Sequence, residues 1–329
     1  MDEKQAKREA DGKRALVLGA TGGIGGELAR HLSDAGWEVT ALTRRLDAAR
    51  IEANGIVWLR GDAMDRQAVI DAARGCSVIV HAVNPPGYRR WSALVLPMID
   101  NTIAAAAFTG ATVVLPGTVY NYGDDAFPLL REDSPQRPST RKGAIRVELE
   151  RRLEAAAARG VRTIVVRAGD FFGPRVGNSW FAQGLVKAGR PVRTVRLPGR
   201  PGIGHQWSYV PDVARTMMAL IERRETLPPF ARFHMAGHWD EDGTQMAQAI
   251  RTVMQRHGVR VRLQRFPWWL VRLASPLIPT LRELMEMRYL WRVHVQMSNA
   301  RLTAVLGHEP HTPLESAVEA TLAGLGCLP

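Results

Sequence analysis

The chain has 329 residues, of which 46% are hydrophobic and 23% are charged, and it carries a formal net charge of +12. Arginine outnumbers lysine by 39 to 5, so the charge follows a bias of the whole chain; without an aromatic-studded basic cluster, it does not favour a nucleic-acid-binding protein. The two cysteines match neither a disulfide framework nor a metal-ligand spacing, which favours a reducing, cytoplasmic location and predicts no metal site.

The predicted elements begin after a short charged leader. Residues 1–12 mix both charge signs and contain no apolar run, so we expect a disordered leader and not an export signal. No later stretch reaches the roughly 18 apolar residues that a membrane-spanning helix needs, so no integral membrane segment is expected.

A glycine-rich turn follows the first predicted strand. In "RALVLGATGGIGGELARHL" an apolar run leads into three spaced glycines and then into a helix with one apolar face. Gly19 permits the tight turn, Gly22 lets the backbone approach a pyrophosphate, and Gly25 lets the helix pack close to the strand. The predicted dinucleotide contacts of this turn are Gly19, Thr21, Gly22, Gly23, Ile24 and Gly25.

The second predicted strand, "WEVTALTRR", decides between the two nicotinamide dinucleotides. It ends near Thr43, where an acidic residue would bind the ribose of NAD, and Arg44 and Arg45 occupy that place. A guanidinium pairs bidentately with a 2′-phosphate, so the sequence predicts NADP(H), with NAD as the alternative. Two ordinary arginines of an arginine-rich chain would look the same, and Asp47 lies too late in the turn to replace the NAD carboxylate.

The segments after the next two strands resemble the extended branch of the short-chain dehydrogenase/reductase superfamily, which includes the nucleotide-sugar epimerases and dehydratases. "LRGDAMD" resembles the segment after the third strand, and this implies that Asp62, followed by Ala63, contacts the adenine. "VIVHAVNPP" is similar to the fourth strand and its turn. The resemblance implies that His81, Ala82 and Val83 line the ribose and nicotinamide side of the cofactor.

Further motifs extend this resemblance over nearly the whole chain. "VVLPGTVYNYG" resembles the fifth strand with its catalytic Ser/Thr turn, here Thr118. Tyr120, two residues later, is a weaker candidate that could line the cleft and donate a proton. "VVRAGDFFGP" resembles the sixth strand, with Asp170 in place of the usual asparagine. "WSYVPDVA" and "LGHEPHTPLESAVEATL" resemble a later helix start and the terminal segment.

The alternation of strands and helices to about residue 167 predicts an α/β Rossmann fold, a doubly wound parallel sheet with a smaller, discontinuous C-terminal substrate domain. We expect the NAD(P)-binding domain to comprise residues 13–172 plus 205–227. The substrate-binding domain is expected to comprise residues 173–204 plus 228–329.

The superfamily's catalytic Tyr-x-x-x-Lys pair is absent, since no tyrosine of this chain has a lysine four residues later. Alignment on Glu150 places Lys142 at the tyrosine position and Arg146 at the lysine position, on one helical face. The run also resembles the helix of the isoflavone-reductase-like atypical members, whose lysine is the catalytic acid/base. This implies that Lys142 moves the proton while Arg146 holds the ribose, because a guanidinium cannot accept a proton.

Several functions stay open at this point. The first is an NADP(H)-dependent oxidoreductase that acts on a carbonyl, enone or hydroxyl carbon of a small-molecule substrate, with Lys142 as acid/base and Thr118 holding the reacting oxygen. Alternatively the chemistry runs through Thr118 or Tyr120. A nucleotide-sugar epimerase or dehydratase would rely on the missing tyrosine. In a non-catalytic NADP(H)-binding sensor or scaffold, Lys142 would be a solvated residue at a helix start.

Two weaker candidates concern aromatic residues. His205 and Trp207 precede a helix start and are candidates for facing the substrate. The aromatic stretch 265–295 favours core or homodimer packing over a substrate lid or a membrane surface, because prolines interrupt any long amphipathic helix.

Overall fold

The computed structural model describes residues 13–85 and 91–329. The predicted leader, residues 1–12, lies outside these ranges, as does Pro86 at the end of the fourth-strand motif. The strands are β1 (Arg14–Leu18), β2 (Glu38–Thr43), β3 (Arg50–Ala53), β4 (Ile56–Arg60), β5 (Val78–His81), β6 (Thr112–Gly117), β7 (Leu129–Leu130), β8 (Thr163–Arg167), β9 (Asp170–Phe172), β10 (Thr194–Leu197), β11 (His205–Tyr209), β12 (Phe230–His234), β13 (His238–Asp240), β14 (Arg262–Arg265) and β15 (Gln296–Met297). The helices are α1 (Gly23–Asp34), α2 (Arg66–Ala72), α3 (Trp91–Thr109), α4 (Arg141–Ala157), α5 (Val210–Glu222), α6 (Gln245–Arg256), α7 (Trp268–Ala274), α8 (Pro279–Glu286), α9 (Ala300–Leu306) and α10 (Leu314–Gly324).

The largest sheet has eight strands in the order β12-β8-β6-β5-β1-β2-β4-β3. Its central pairs are parallel, and β3 runs antiparallel to β4. Strands buried on both faces of a parallel sheet read as continuous apolar runs, and β1, β5 and β8 do so. The order β4-β2-β1-β5-β6-β8 is that of a doubly wound Rossmann sheet, so the predicted fold class is confirmed.

The register of this sheet brings four strand ends to one edge. Leu18 lies beside both Leu42 and His81, and Thr43 lies beside Arg60. The turns that follow β1, β2, β4 and β5 therefore leave the sheet side by side, at the carboxyl edge where ligands bind in open α/β sheets.

The chain forms two compact units of comparable length. The first consists of the described part of residues 1–117, together with 142–167 and 214–233; the second consists of 118–141, 168–213 and 234–329. This division differs from the expected domains because strand pairing binds residues that lie far apart in sequence. The short β7 pairs with β15, and β11 pairs with both β9 and β13, so these segments belong to the second unit.

The second unit contains three small sheets and its own core. Besides the β7–β15 pair, β10 pairs in parallel with β14, and β11 lies between β9 and β13. Its core gathers aromatic side chains around Phe172, Phe181 and Trp207 with apolar residues of α6 and α10.

The α3 helix bears on the expectation that the chain has no integral membrane segment. Its 19 residues are long and apolar enough to cross a membrane by length and composition alone. Val95, Ile99 and Ala105 of this helix are buried in the core of the first unit, which is how an apolar core helix is accommodated in a packed domain.

The aromatic stretch 265–295 contains both buried and exposed side chains. Trp291 is buried and stacks on His205 with ring centroids 3.6 Å apart. Trp269 and Leu273, both on the short α7, are 68% and 73% exposed. Core packing therefore accounts for Trp291 and leaves one face of α7 on the surface.

Candidate functional site

The glycine-rich turn joins β1 to α1. Gly19 has a φ of +91°, and a Cβ there would lie 2.5 Å from the Ala82 carbonyl oxygen. A Cβ at Gly25 would lie 2.4 Å from the Gly19 carbonyl oxygen, so this glycine lets the helix approach the turn. A Cβ at Gly22 would meet only the Gly19 oxygen, at 3.3 Å, so the protein leaves the space above it open. The first amide groups of α1 have no intrahelical acceptor and are suited to an anion.

The rest of the turn is accessible to a ligand. Thr21 is exposed, and Gly23 and Ile24 are half-buried at the first turn of the helix. The exposed turn and the helix start thus form a continuous accessible surface, at the place where the sequence predicts the pyrophosphate.

The turns after β2 and β4 carry the next group of predicted residues. Arg44 and Arg45 are exposed, and Arg44 Nη1 lies 4.0 Å from Asp62 Oδ2. Asp62 Oδ1 accepts a hydrogen bond from the Met64 amide at 3.0 Å, which fixes this carboxylate at the carboxyl edge of the sheet. Ala63 is buried. The guanidinium and carboxylate groups are therefore next to each other, as recognition of an adenosine moiety would require.

The end of β5 places His81 in the interior. His81 is 3% exposed, and its Nδ1 lies 2.7 Å from Thr102 Oγ1, which itself donates to the Met98 carbonyl. Thr102 has one hydroxyl proton, and the Met98 carbonyl accepts it. Thr102 Oγ1 must therefore be the acceptor in its contact with His81, so His81 Nδ1 carries the ring proton and donates it. Burial, and to a lesser extent Arg146, lower the pKa of His81 to about 3. The imidazole is a neutral structural group, so the predicted cofactor contact of its side chain is not favoured, and those of Ala82 and Val83 stay predictions.

Lys142 lies in the first turn of α4 and is 3% exposed. This contradicts the alternative of a solvated helix-start charge, since burying an ammonium requires polar partners. Arg146 follows one turn later and lies over the Trp91 ring, with its Cζ 5.1 Å from the ring centroid. Both predicted side chains thus occupy the inward-facing half of α4.

A buried ion pair fixes this helix on the sheet. Arg167, at the end of β8, is 0% exposed, and its Nε donates to Glu150 Oε1 at 3.1 Å while Nη2 contacts the other carboxylate oxygen. A Cβ at Gly117 would lie 2.5 Å from Arg167 Cγ, so this glycine makes room for the arginine. Glu150 is two turns beyond Lys142, and the ion pair therefore also sets the position of Lys142 and Arg146.

Thr118 and Tyr120 belong to the second unit. Thr118 caps a 3₁₀ turn, and its Oγ1 accepts a hydrogen bond from the Tyr120 amide at 3.3 Å. Both side chains are half-buried. Tyr122 is fully buried, its hydroxyl donates to the Arg131 carbonyl, and it lies 2.9 Å from His234 Nε2, so it is a structural residue. The catalytic role of Thr118 stays a prediction from the resemblance, and that of Tyr120 a prediction from its position after Thr118.

His205 and Trp207 lie inside the second unit. His205 Nε2 is 2.8 Å from Asp170 Oδ2, and its Nδ1 is 3.3 Å from the Leu290 carbonyl. Trp207 is 2% exposed. Both ring nitrogens of His205 are therefore engaged in holding β9, β11 and the segment at residue 290 together.

An arginine-lined cavity was not anticipated from the sequence. It has a volume of about 390 Å³ and lies within the second unit, between the ends of β10 and β14 and the 3₁₀ turn at 287–291. Its charged and aromatic lining consists of Arg200, Arg265, Arg288, Arg292, Phe266, Trp268 and Trp291. Burial and three neighbouring arginines lower the pKa of Arg288. Within the described part of the chain, no salt bridge joins these four arginines to a carboxylate, so the cavity is suited to an anion.

Comparison with known proteins agrees with this geometry. The model of the NAD-dependent epimerase/dehydratase family matches residues 15–236. A curated relative, the (4-alkanoyl-5-oxo-2,5-dihydrofuran-3-yl)methyl phosphate reductase of Streptomyces griseus, is 38% identical over 71 residues, which are 22% of this chain and 25% of that protein. The match therefore spans about a quarter of the relative's length.

Solved structures resemble the chain over almost its whole length. MoeE5 in complex with UDP-glucose and NAD has a TM-score of 0.71 at 20% identity, with 94% of this chain and 98% of that chain covered. UDP-glucose 4-epimerase from Thermus thermophilus in complex with NAD has a TM-score of 0.70 at 20% identity and coverages of 95% and 98%. UDP-N-acetylglucosamine 4-epimerase from Bacillus cereus has a TM-score of 0.70 at 14% identity and coverages of 93% and 96%. At these identities the likeness shows a shared fold.

Proposed function

Because the chain belongs to the NAD-dependent epimerase/dehydratase family, a branch of the short-chain dehydrogenase/reductase superfamily, we propose that it is an NADP(H)-dependent oxidoreductase acting on a carbonyl, enone or hydroxyl carbon. One observation carries the proposal. Lys142 is buried in the first turn of α4, one turn before Arg146. The alignment on Glu150 assigns these two residues to the positions of the superfamily's catalytic tyrosine and lysine. Burying a lysine is costly, and a functional role accounts for that cost better than a surface role.

In this proposal the nicotinamide, when bound, supplies or accepts the hydride. Lys142 Nζ gives the proton to the substrate oxygen during reduction and takes it back during oxidation. Arg146, held over Trp91, binds the ribose hydroxyl groups by hydrogen bonds. The Arg167–Glu150 ion pair keeps both side chains on the inner face of α4.

The preference for NADP(H) is supported by the charge at the end of β2. Arg44 is 64% exposed and its contact with Asp62 is loose, at 4.0 Å, so its guanidinium is available to a 2′-phosphate. Among the described residues, no carboxylate lies within salt-bridge distance of Arg45. Arg45 therefore has no carboxylate partner among the described residues, and Arg44 is only loosely paired with Asp62, so both guanidinium groups are accessible at the carboxyl edge of the sheet.

The arginine-lined cavity supports a phosphate-bearing substrate. Guanidinium groups pair bidentately with phosphate oxygens, and four of them line this cavity. The S. griseus relative is named for a phosphate ester, and the MoeE5 structure contains a nucleotide sugar. The same cavity therefore favours a second candidate function, a nucleotide-sugar epimerase or dehydratase.

The decisive experiment compares Lys142→Met with Lys187→Met, which removes an exposed lysine of the second unit. NADPH oxidation is first measured against a panel of phosphorylated enones, ketones and aldehydes and of UDP-sugars. We expect Lys142→Met to lower turnover by roughly 100-fold or more, with NADPH affinity nearly unchanged, and Lys187→Met to leave both unchanged.

Three outcomes would contradict the proposal. An unchanged turnover in Lys142→Met would remove Lys142 from the chemistry and favour Thr118 or Tyr120. Inversion or dehydration of a UDP-sugar without net cofactor oxidation would favour the second candidate function. Tight NADPH binding without turnover on any panel member would favour a sensor or scaffold.

A further inference from the structure

Three side chains that commonly bind metal ions meet within the second unit. Asp212 lies in the first turn of α5, His238 begins β13, and His311 lies in the segment that leads into α10. One potential ligand atom of each residue lies within 4.8 Å of those of the other two. These residues are distant from one another in sequence, and only the fold brings them together.

His238 is buried and has a ring nitrogen without a hydrogen-bond partner among the described residues. Its side chain is more than nine-tenths buried, at 8% exposure, and its Nε2 has no hydrogen-bond partner among the described residues. Buried polar atoms in native proteins normally have a partner, so an unpartnered imidazole nitrogen indicates a missing one. The ring contacts His311, with centroids 4.4 Å apart, so its surroundings already contain a second ligand.

Hydrogen bonds hold the other two ligands in place. Thr312 donates to both oxygens of Asp212, through its amide and its hydroxyl, at 2.7 Å each. Glu309 accepts from the amides of Ala236 and Gly237 at 2.8 Å each. The segment that carries His311 is thus tied to α5 at one end and to the turn before His238 at the other.

The hydrogen bonds made by Thr312 and Glu309 surround the three candidate ligands, as an organised metal site requires. Outer hydrogen bonds of this kind orient ligating carboxylates and imidazoles.

We propose that Asp212, His238 and His311 bind one divalent transition-metal ion of the zinc class, with water at the remaining position. Two imidazoles and one carboxylate suit zinc and its neighbours, whereas calcium and magnesium prefer oxygen ligands only. Ligand atoms around tetrahedral zinc lie roughly 3.3 Å apart, so binding requires small side-chain movements, which the exposed His311 can make. The bound ion would join α5, β13 and the segment before α10. This site is separate from the proposed oxidoreductase function and does not depend on it.

The test uses the untagged full chain, stripped with a chelator and titrated calorimetrically with Zn²⁺ and, separately, Mg²⁺. We expect one tightly bound Zn²⁺ per chain, no saturable Mg²⁺ binding, and a Zn²⁺-dependent rise in the thermal unfolding midpoint. His311→Ala removes an exposed ligand, so it should fold normally while weakening Zn²⁺ binding at least about tenfold and abolishing the rise. His308→Ala, an exposed histidine of the same segment, is the matched control and should bind like wild type.

A second variant tests the buried ligand. His238→Gln should also lose Zn²⁺ binding, and its far-ultraviolet circular dichroism shows whether the fold survives the change of a buried residue. Zn²⁺ binding by His311→Ala equal to that of wild type, or weakened equally in His308→Ala, would overturn the proposal. The same holds if wild type binds less than one equivalent.

Discussion

The buried ion pair between Arg167 and Glu150 allows a quantitative prediction. Their side chains are 0% and 5% exposed, so neither charge has water to replace a lost partner. Glu150→Gln keeps the shape of the side chain and removes its charge, so the buried guanidinium of Arg167 loses this counter-charge. Breaking a buried pair in this way costs about 3–5 kcal/mol in the free energy of unfolding.

The corresponding change in thermal midpoint can be measured directly. For units of this size each kcal/mol moves the midpoint by about 2–4 °C, so Glu150→Gln should lower it by roughly 6–20 °C. Circular dichroism melts and urea titrations both report this change. The control is Glu148→Gln on the same helix, which removes solvent-accessible contacts with Arg151 and Arg152 and should cost at most about 1 kcal/mol.

A double variant separates charge burial from packing. Replacing both partners, as Glu150→Leu with Arg167→Met, removes both charges and should be less destabilising than Glu150→Gln alone. The reasoning is refuted if Glu150→Gln and Glu148→Gln lower the unfolding free energy equally. It also fails if the double variant is the least stable of the set.

Three further predictions concern the cofactor turn and the thiols. By fluorescence titration, NADPH should bind at least about tenfold more tightly than NADH. Arg44→Ala should reduce that affinity ratio. Equal affinities in the wild-type protein would contradict the proposed preference. Gly22→Val should abolish dinucleotide binding without unfolding the protein, since a Cβ at this position meets one backbone oxygen among the described residues. Gly25→Val should unfold the protein, because its side chain would clash with the Gly19 main chain. Retained binding in Gly22→Val would limit the glycines to helix packing. Burial raises the pKa of the Cys76 thiol to about 11. Native Cys76 should therefore resist thiol reagents at pH 8 and react only after denaturation. Fast labelling of the native protein would show that this thiol is accessible.

The sequence was informative where local rules decide the structure. The apolar run, the three glycines and the following helix of residues 15–34 are contiguous, so the first turn and the end of β2 at Thr43 follow from short-range patterns. The parallel sheet follows from the alternation of elements. These features need no knowledge of which distant residues meet.

Other features depend on tertiary contacts. The burial of Lys142 could not be predicted, because a charge beside Arg141 at a helix start is usually solvated. The arginine-lined cavity combines residues 200, 265, 288 and 292, and the Asp212–His238–His311 cluster combines three separate segments. The inward position of His81 depends on Thr102 of α3, which no local pattern connects to β5.

His81 also sets an acid limit for the stability of the first unit. Its folded-state pKa, about 3, lies below the ordinary value of 6.5, so the folded state is more stable with a neutral His81 imidazole than with a charged one. Its contribution to stability is therefore present above pH 6.5 and is lost as the pH falls toward 3, because the unfolded chain takes up the proton first. Between pH 7 and pH 5 this linkage removes roughly 2 kcal/mol from the free energy of unfolding. His81→Asn keeps a donor for Thr102 and cannot titrate, so urea titrations at the two pH values should show that much less acid sensitivity than wild type. His308→Asn, at an exposed position, should keep the wild-type pH dependence, and an equal loss of stability in all three proteins would show that His81 is already charged or hydrated in the fold.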